Sequence, residues 1–465
     1  MLNFITYTQR DFSEQTLKNI SFNVSGDLAT LPAGELGFAV GFEYRDHDGS
    51  FRPDPIAASG ETAGIPSGPT KGNFDVTEFY GELNIPLISG SQYLEVNVAA
   101  RSSDYSTSGS ESTYKGSFLW RPIDDFSLRG SISTGFRAPG IGELFGGAAR
   151  EDFSFSDPCS DYSALLGSAG GGRDVAQSAT IQANCATLGV PVGVSQLNPQ
   201  LSAVSAGNSG LDAETSDAWT FGFVYSPSWV DDLPMIEDLT FSIDWYDLEI
   251  DDAIQGRNPG DLITACVNTL DPTLCAAVGR TSSGRINLVN NQLQNIGKIE
   301  TSGFDLAVNY EIPTGNWGHF SMSINATHLS DYKEITSNPD GSKSTNDLAG
   351  IHTDETFQRA FPDWRFVSTM NWNRDRWSGT WSFRWTDEME LEDRTTKLDS
   401  VVFSDLQVSY NPPVANNGVT LTVGFNNIFD EDPPVCFPCG VVGLSTVSHD
   451  LPGRVGYIKL SYEIQ

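Results

Sequence analysis

Few side chains in this sequence are spaced to do covalent chemistry. Six cysteines fall as three close pairs: Cys159 and Cys185, Cys266 and Cys275, Cys436 and Cys439. An even count at short range suggests disulfides formed in an oxidising compartment. Cys436-Phe-Pro-Cys439 also has the spacing of half a zinc site, but no second C-x-x-C completes it. The histidines (His47, His319, His328, His352 and His449) are scattered. Two acidic turns, Asp46-His47-Asp48-Gly49 and Asn338-Pro339-Asp340-Gly341, faintly resemble calcium loops but lack the remaining ligands and the closing Glu. Asp and Gly are also simply good turn formers. With no H-E-x-x-H, G-x-S-x-G or P-loop pattern, the expectation is no enzyme, no resident metal and no cofactor.

Binding chemistry is the better prospect. The stretch GFRAPGIGELFGGAAR, residues 135–150, opens a long irregular segment rich in Gly, Ala and Ser. Arg137 stands at its start, and Phe153, Phe155 and Tyr162 follow. These aromatics suit stacking on sugar rings or on the aromatic groups of a metal chelate; local packing around the Cys159–Cys185 loop is the competing reading. For Arg137 a structural contact at the rim or in the lumen of the fold is preferred over a ligand contact. Pro139 cannot donate to a ladder, so Arg137-Ala138-Pro139 should end a strand, with Glu143-Leu144-Phe145 making a short helical turn.

Charge narrows the partners. With 60 acidic and 27 basic residues, the net charge is −33. Nucleic-acid binding needs a basic face, and a membrane-surface anchor needs a basic cluster, so neither is expected. Acidic loops also slow capture of an anionic substrate. No window approaches the ~18 apolar residues of a spanning helix, and the first residues do not read as a signal peptide.

These loops must be held by strands. Val419, Leu421, Val423 and Phe425 alternate with polar residues, as do Ile458, Leu460, Tyr462 and Ile464. The same holds for Trp381, Phe383 and Trp385, for Trp219, Phe221, Phe223 and Tyr225, and for Leu239, Phe241, Ile243 and Trp245. Period 2 means one apolar and one polar face. The pattern predicts about fifteen strands, near 17–28, 34–46, 74–87, 91–105, 111–121, 126–136, 214–226, 237–250, 296–312, 317–332, 363–374, 377–388, 399–411, 417–427 and 453–464. Many exceed the ~9–11 residues that cross a bilayer, whereas ordinary strands run ~5–6.

Short turns alternate with long connections near 47–73, 137–213, 251–295, 333–362, 389–398 and 428–452. That asymmetry, with polar inward faces, predicts an all-β transmembrane antiparallel barrel with periplasmic turns and extracellular loops. All six cysteines then fall in extracellular loops. Trp120, Tyr225, Trp364, Trp377 and Tyr410 sit near strand ends, where interfacial girdles form.

The motifs carry a resemblance. STGFRAPGIGELF, NSGLDAETSDAWTFGFVYSP, NIGKIETSGFDLAVNYEIP and the last three strands resemble, in order and over essentially the whole chain, TonB-dependent outer-membrane receptors. The resemblance implies a 22-stranded barrel with an N-terminal plug. About fifteen strands are visible here, so residues 1–465 are expected to be a partial barrel domain, without plug or TonB box. It also implies a Gram-negative outer membrane, the TonB–ExbB–ExbD system as partner, and active uptake of a scarce, large oligosaccharide or metal chelate. A passive channel, an adhesin barrel and a soluble secreted glycan-binding protein are the alternatives. The ending Glu463-Ile464-Gln465 departs from the terminal aromatic of such barrels. In lipid, unpaired edges are not tolerated. Residues 1–465 reconstituted alone in vesicles should therefore fail to transport, and a transport-competent preparation would overturn the partial-barrel reading.

Overall fold

The computed structural model describes residues 6–62, 66–160, 175–198, 200–233, 236–338, 341–353, 359–414, 418–436, 439, 443–450 and 452–463. Fifteen long strands form one antiparallel meander in which each pairs with its neighbour in sequence. They are β1 (Phe12–Leu31), β2 (Gly34–Arg52), β3 (Thr70–Ile88), β4 (Tyr93–Tyr105), β5 (Gly109–Ile123), β6 (Phe126–Arg137), β7 (Glu214–Tyr225) and β8 (Asp238–Gln255). Then follow β9 (Gln294–Pro313), β10 (His319–Ser337), β11 (Trp364–Arg374), β12 (Trp377–Thr386), β13 (Val401–Tyr410), β14 (Val419–Asn426) and β15 (Val455–Tyr462). Among the described residues β1 pairs only with β2, and β15 only with β14.

Every expected strand is present, and their ends at the short turns agree closely with the sequence reading. At the loop side several run further: β2 continues to Arg52, β3 starts at Thr70, and β8 continues to Gln255. Backbone pairing persists there, as in Phe51 with Thr70 and Ser50 with Lys71. Where both faces of a strand meet water the alternation that reveals it is lost, as in these extensions. The Asp46–Gly49 turn is corrected on this account. It lies inside β2, paired with β3, and its successive side chains point to opposite faces and cannot converge on one ion. Asp340 and Pro339 of the second acidic turn lie outside the described residues.

Register makes the apolar faces one belt. Leu239, Tyr310, Met322, Met370, Trp381, Leu406 and Phe425 are successive partners from β8 to β14. The opposite face carries a polar row through Arg129, Gly222, Asp244, Asp305 and Thr327. Of the expected girdle residues, Trp120, Tyr225, Trp377 and Tyr410 lie at the turn side, where the Trp377 and Tyr410 ring centroids are 4.5 Å apart. Trp364 lies at the loop side, stacked on His328 at 4.5 Å.

On the polar face, glycines let alternate strands touch. Arg129 of β6 reaches Asp244 of β8 at 2.7 and 2.5 Å, passing over Gly222 of β7. A Cβ on Gly222 would sit 2.1 Å from Asp244 Oδ1. Tyr80 crosses Gly41 to Asn23, and Tyr457 crosses Gly424 to Gln407, in the same way.

The long loops fold into two caps. In the first, segments Ala149–Ser154 and Gln200–Ser205 of the 137–213 loop join Val278–Arg280 and Ile286–Asn290 of the 251–295 loop in one four-stranded sheet. Leu201, Ala203, Leu262, Ile263 and Val289 form its core. Arg280 and Asp157 bridge the two loops at 2.6 and 2.9 Å, both almost fully buried. The disulfides Cys159–Cys185 and Cys266–Cys275 staple one loop each.

The second cap gathers short strands at 351–352, 360–361, 389–391 and 397–398 over Met389, Leu391, Leu398 and the Cys436–Cys439 disulfide. Inside it, His352 Nε2 lies 2.7 Å from Ser445 Oγ, which is 2.5 Å from Ser448 Oγ. Ser448 Oγ in turn is 2.8 Å from His449 Nδ1. His352 Nδ1 faces Cys439 Sγ at 3.6 Å. His449 Nε2 is buried without a hydrogen-bond partner.

Burial, then the neighbouring His352, pushes the His449 pKa down to about 4, against a weaker upward pull from Asp450. Asp450 is itself paired with Arg384. The folded cap thus refuses a proton that the unfolded chain accepts below about pH 6.5. Its stability should fall by about 1.4 kcal/mol per pH unit between pH 6.5 and 4, and level off below. Hydrogen exchange at residues 351–353 and 443–449, referenced to 286–290 in the first cap, should show this acid loosening, and His449→Gln should abolish it.

Candidate functional site

The mouth on the loop side is organised by the segment that opened the sequence reading. After β6, Pro139 ends the pairing, and Ile141–Phe145 forms a short helix laid across the polar faces of β2 and β3. Its seat is cut by two glycines. A Cβ on Gly49 would lie 2.9 Å from Ile141 Cδ1, and one on Gly72 would overlap Phe145 at 2.0 Å. Gly207 N donates to Gly146 O at 3.0 Å and Asn208 N to Glu143 O at 2.8 Å, fixing the other side.

Arg137 holds this arrangement. Its guanidinium donates to Glu214 (Nε–Oε2 2.5 Å, Nη2–Oε1 2.9 Å) and to Glu143 (Nη1–Oε2 2.8 Å, Nη2–Oε1 2.9 Å). Glu214 Oε1 also accepts from Ile254 N at 2.7 Å, and Glu143 Oε2 from Gly140 N at 2.7 Å. One side chain therefore ties β6, β7, β8 and the helix. Burial pulls the Glu143 pKa up, but Arg137 and the Gly140 N–H outweigh it and leave it below the ordinary carboxylate value.

Beneath the helix lies a cavity of about 530 Å³, walled by β2–β6 and the Arg137–Gly140 segment. Four rings line up along it: His47 stacks on Phe74 at 4.7 Å, Phe74 meets Tyr105 at 6.0 Å, and Tyr105 meets Phe136 edge-on at 5.8 Å. Below them, buried Glu78 accepts from Arg45 at 2.6 Å, from Arg101 at 2.5 Å and from Ser103 at 2.6 Å. Glu43 approaches both arginines at 3.7 and 3.4 Å. Each of the three arginines lining this cavity, Arg45, Arg101 and Arg137, is thus met by carboxylates.

Of the binding candidates Arg137, Phe153 and Phe155, Arg137 borders this cavity; His47, read from sequence as one of the scattered histidines, borders it too. Phe153 and Phe155 pack against the core of the first cap, 6.5 Å from each other. Tyr162 lies outside the described residues. The aromatic row escaped sequence reading because its members come from four strands and meet only through register. The in-phase placement of Arg45, Glu78 and Arg101 on polar faces was the available signal.

Residues 2–428 match the family model described as TonB dependent receptor-like, beta-barrel. The chain belongs to that family. It is therefore a transmembrane β-barrel protein of the Gram-negative outer membrane, with its apolar belt toward lipid and its polar face toward the lumen. No helix among the described residues is long and apolar enough to cross a membrane. Solved structures of similar fold include the ferric enterobactin receptor of Pseudomonas aeruginosa (TM-score 0.59, 16% identity, covering 96% of this chain and 54% of that one). Others are the siderophore receptor PirA from Acinetobacter baumannii (0.58, 15%, 96% and 55%) and the FrpB iron transporter from Neisseria meningitidis (0.55, 12%, 97% and 55%). The chain spans about half the length of these proteins. No curated protein sequence shows a significant match.

Within this receptor barrel, Arg137→Ala leaves Glu143 and Glu214 facing each other without their cation. The half-exposed arginine limits the loss to about 1–3 kcal/mol. Limited proteolysis should then cut within 138–148, and adding Glu143→Gln should restore part of the protection.

Proposed function

We propose that this barrel serves the active uptake of a large, scarce substrate that carries no strong negative charge, an oligosaccharide being the class that fits best. The carrying observation is the mouth cavity. Its arginines Arg45, Arg101 and Arg137 are already engaged by Glu43, Glu78, Glu143 and Glu214, and the rings of His47, Phe74, Tyr105 and Phe136 share the rest of its lining with small residues and threonines. Such a wall offers rings to a sugar and no free cation to an anionic chelate. The net charge of −33 acts in the same direction. In this reading the extracellular caps and the cavity capture the substrate. The TonB–ExbB–ExbD system, acting on the plug that the family carries inside its barrels, supplies the energy.

A second reading, uptake of a ferric siderophore, is favoured by what the structural neighbours are named for. Cells producing the whole receptor separate the two. Labelled oligosaccharide should accumulate saturably, and deletion of TonB should abolish it. Accumulation of a labelled ferric chelate alone would support the siderophore reading instead. Uptake that survives TonB loss would identify a passive channel.

A further inference from the structure

The lipid-facing belt has a hollow among the described residues. Along two neighbouring rows of strand partners, side-chain size collapses between β3 and β5. The first row reads Phe22, Phe42, Phe79, Ser102, Ser112, and the second Val24, Val40, Gly81, Ala100, Tyr114. Small residues at Gly81, Ala100, Ser102 and Ser112 make a floor. Phe42 and Phe79 wall it on one side and Tyr114 on the other, leaving an open groove of about 470 Å³. That is within the ~300–1,000 Å³ of small-molecule sites.

Gly116, one row further in, is equally open, with Ile132 Cγ2 nearest at 3.8 Å, whereas three other glycines on the belt lie under rings. A Cβ on Gly130 would meet the Phe118 ring at 2.7 Å, one on Gly456 the Phe425 ring at 3.1 Å, and one on Gly379 the Trp372 ring at 3.4 Å. On Gly81 the nearest atom is Val40 Cγ1, at 3.8 Å. No ring lies over it.

We infer that this groove holds one acyl chain of an outer-leaflet lipid as a resident ligand, held longer than the lipids around it. The groove is continuous with the lipid-facing belt, so hydrocarbon is the medium that fills it. An unfilled hollow would forfeit dispersion contacts along its whole lining. Its level fits the outer leaflet, since Ala100 and Ser102 lie in the half of β4 nearer its loop-side end, Tyr105. The loop above, between Tyr105 and Gly109, is too short to cover it. Ser102, Ser112 and Tyr114 set hydroxyls at the outer end, where a chain meets its polar headgroup.

The inference rests on the membrane placement and not on the substrate, so failure of the uptake reading leaves it standing. It is tested by native mass spectrometry of the protein extracted from the outer membrane in mild detergent. The wild type should retain one acyl-lipid adduct. Gly81→Leu and Ala100→Leu should lose it, whereas Gly81→Ala, which fits the open space, and Val423→Leu on β14 should keep it. Adding back lipid A, the acylated anchor of the outer leaflet, should restore the adduct to delipidated wild type and not to Gly81→Leu. Absence of an adduct in wild type, its persistence in Gly81→Leu, or a dimer in its place would each overturn the inference.

Discussion

Inside a bilayer no water is available to satisfy an N–H or C=O, so each backbone group must find its partner in a neighbouring strand. That requirement dictates the uninterrupted antiparallel meander, and the meander dictates the rest. It fixes period 2, which sorts side chains into a lipid belt and a lumenal wall. It pushes irregular backbone out to the two ends. Any site for a water-borne ligand is consequently lumenal, or lies in loops beyond the hydrocarbon.

Two devices give this regular wall specific contacts. Within the wall, glycines at Gly41, Gly222 and Gly424 clear a path over the middle of three strands, so that the outer two can join by side chains. Above it, loops that could not be stable singly share one core. Segments of only three to six residues form the first cap because two short hairpins, one from each loop, join where Gln200–Ser205 pairs with Ile286–Asn290. Gly49 and Gly72 play a related part at the mouth, where the seat of the Ile141–Phe145 helix is an absence of side chains.

The strands were legible because their signal is local: Val419 to Phe425 or Trp219 to Tyr225 announce themselves by alternation alone. Their loop-side extensions, such as Thr70-Lys71-Gly72-Asn73, were not, since water on both faces removes the pattern. The site was legible only in part. Arg137 and the helical turn after it could be read from one stretch, whereas His47, Phe74, Tyr105 and Phe136 become neighbours only once four strands are in register. The partner of His352 is 93 residues away at Ser445, and that of Asp157 is 123 residues away at Arg280. Contacts at such separations leave no trace in spacing.

The placement of the cysteines has a consequence for the route to the finished molecule. Six cysteines admit fifteen pairings in principle, yet the partners here are separated by only 26, 9 and 3 residues, each pair within its own loop. Closing a short loop costs less chain entropy than closing a long one. Oxidation can therefore run to completion in each loop before that loop meets its neighbour, and a wrong bond between loops is the slower event. The bridging of the first cap is left to Arg280 and Asp157, an ion pair that can form and break until the strands beneath have settled. The covalent links are local and the reversible one is long-range, so errors in bringing the loops together stay correctable.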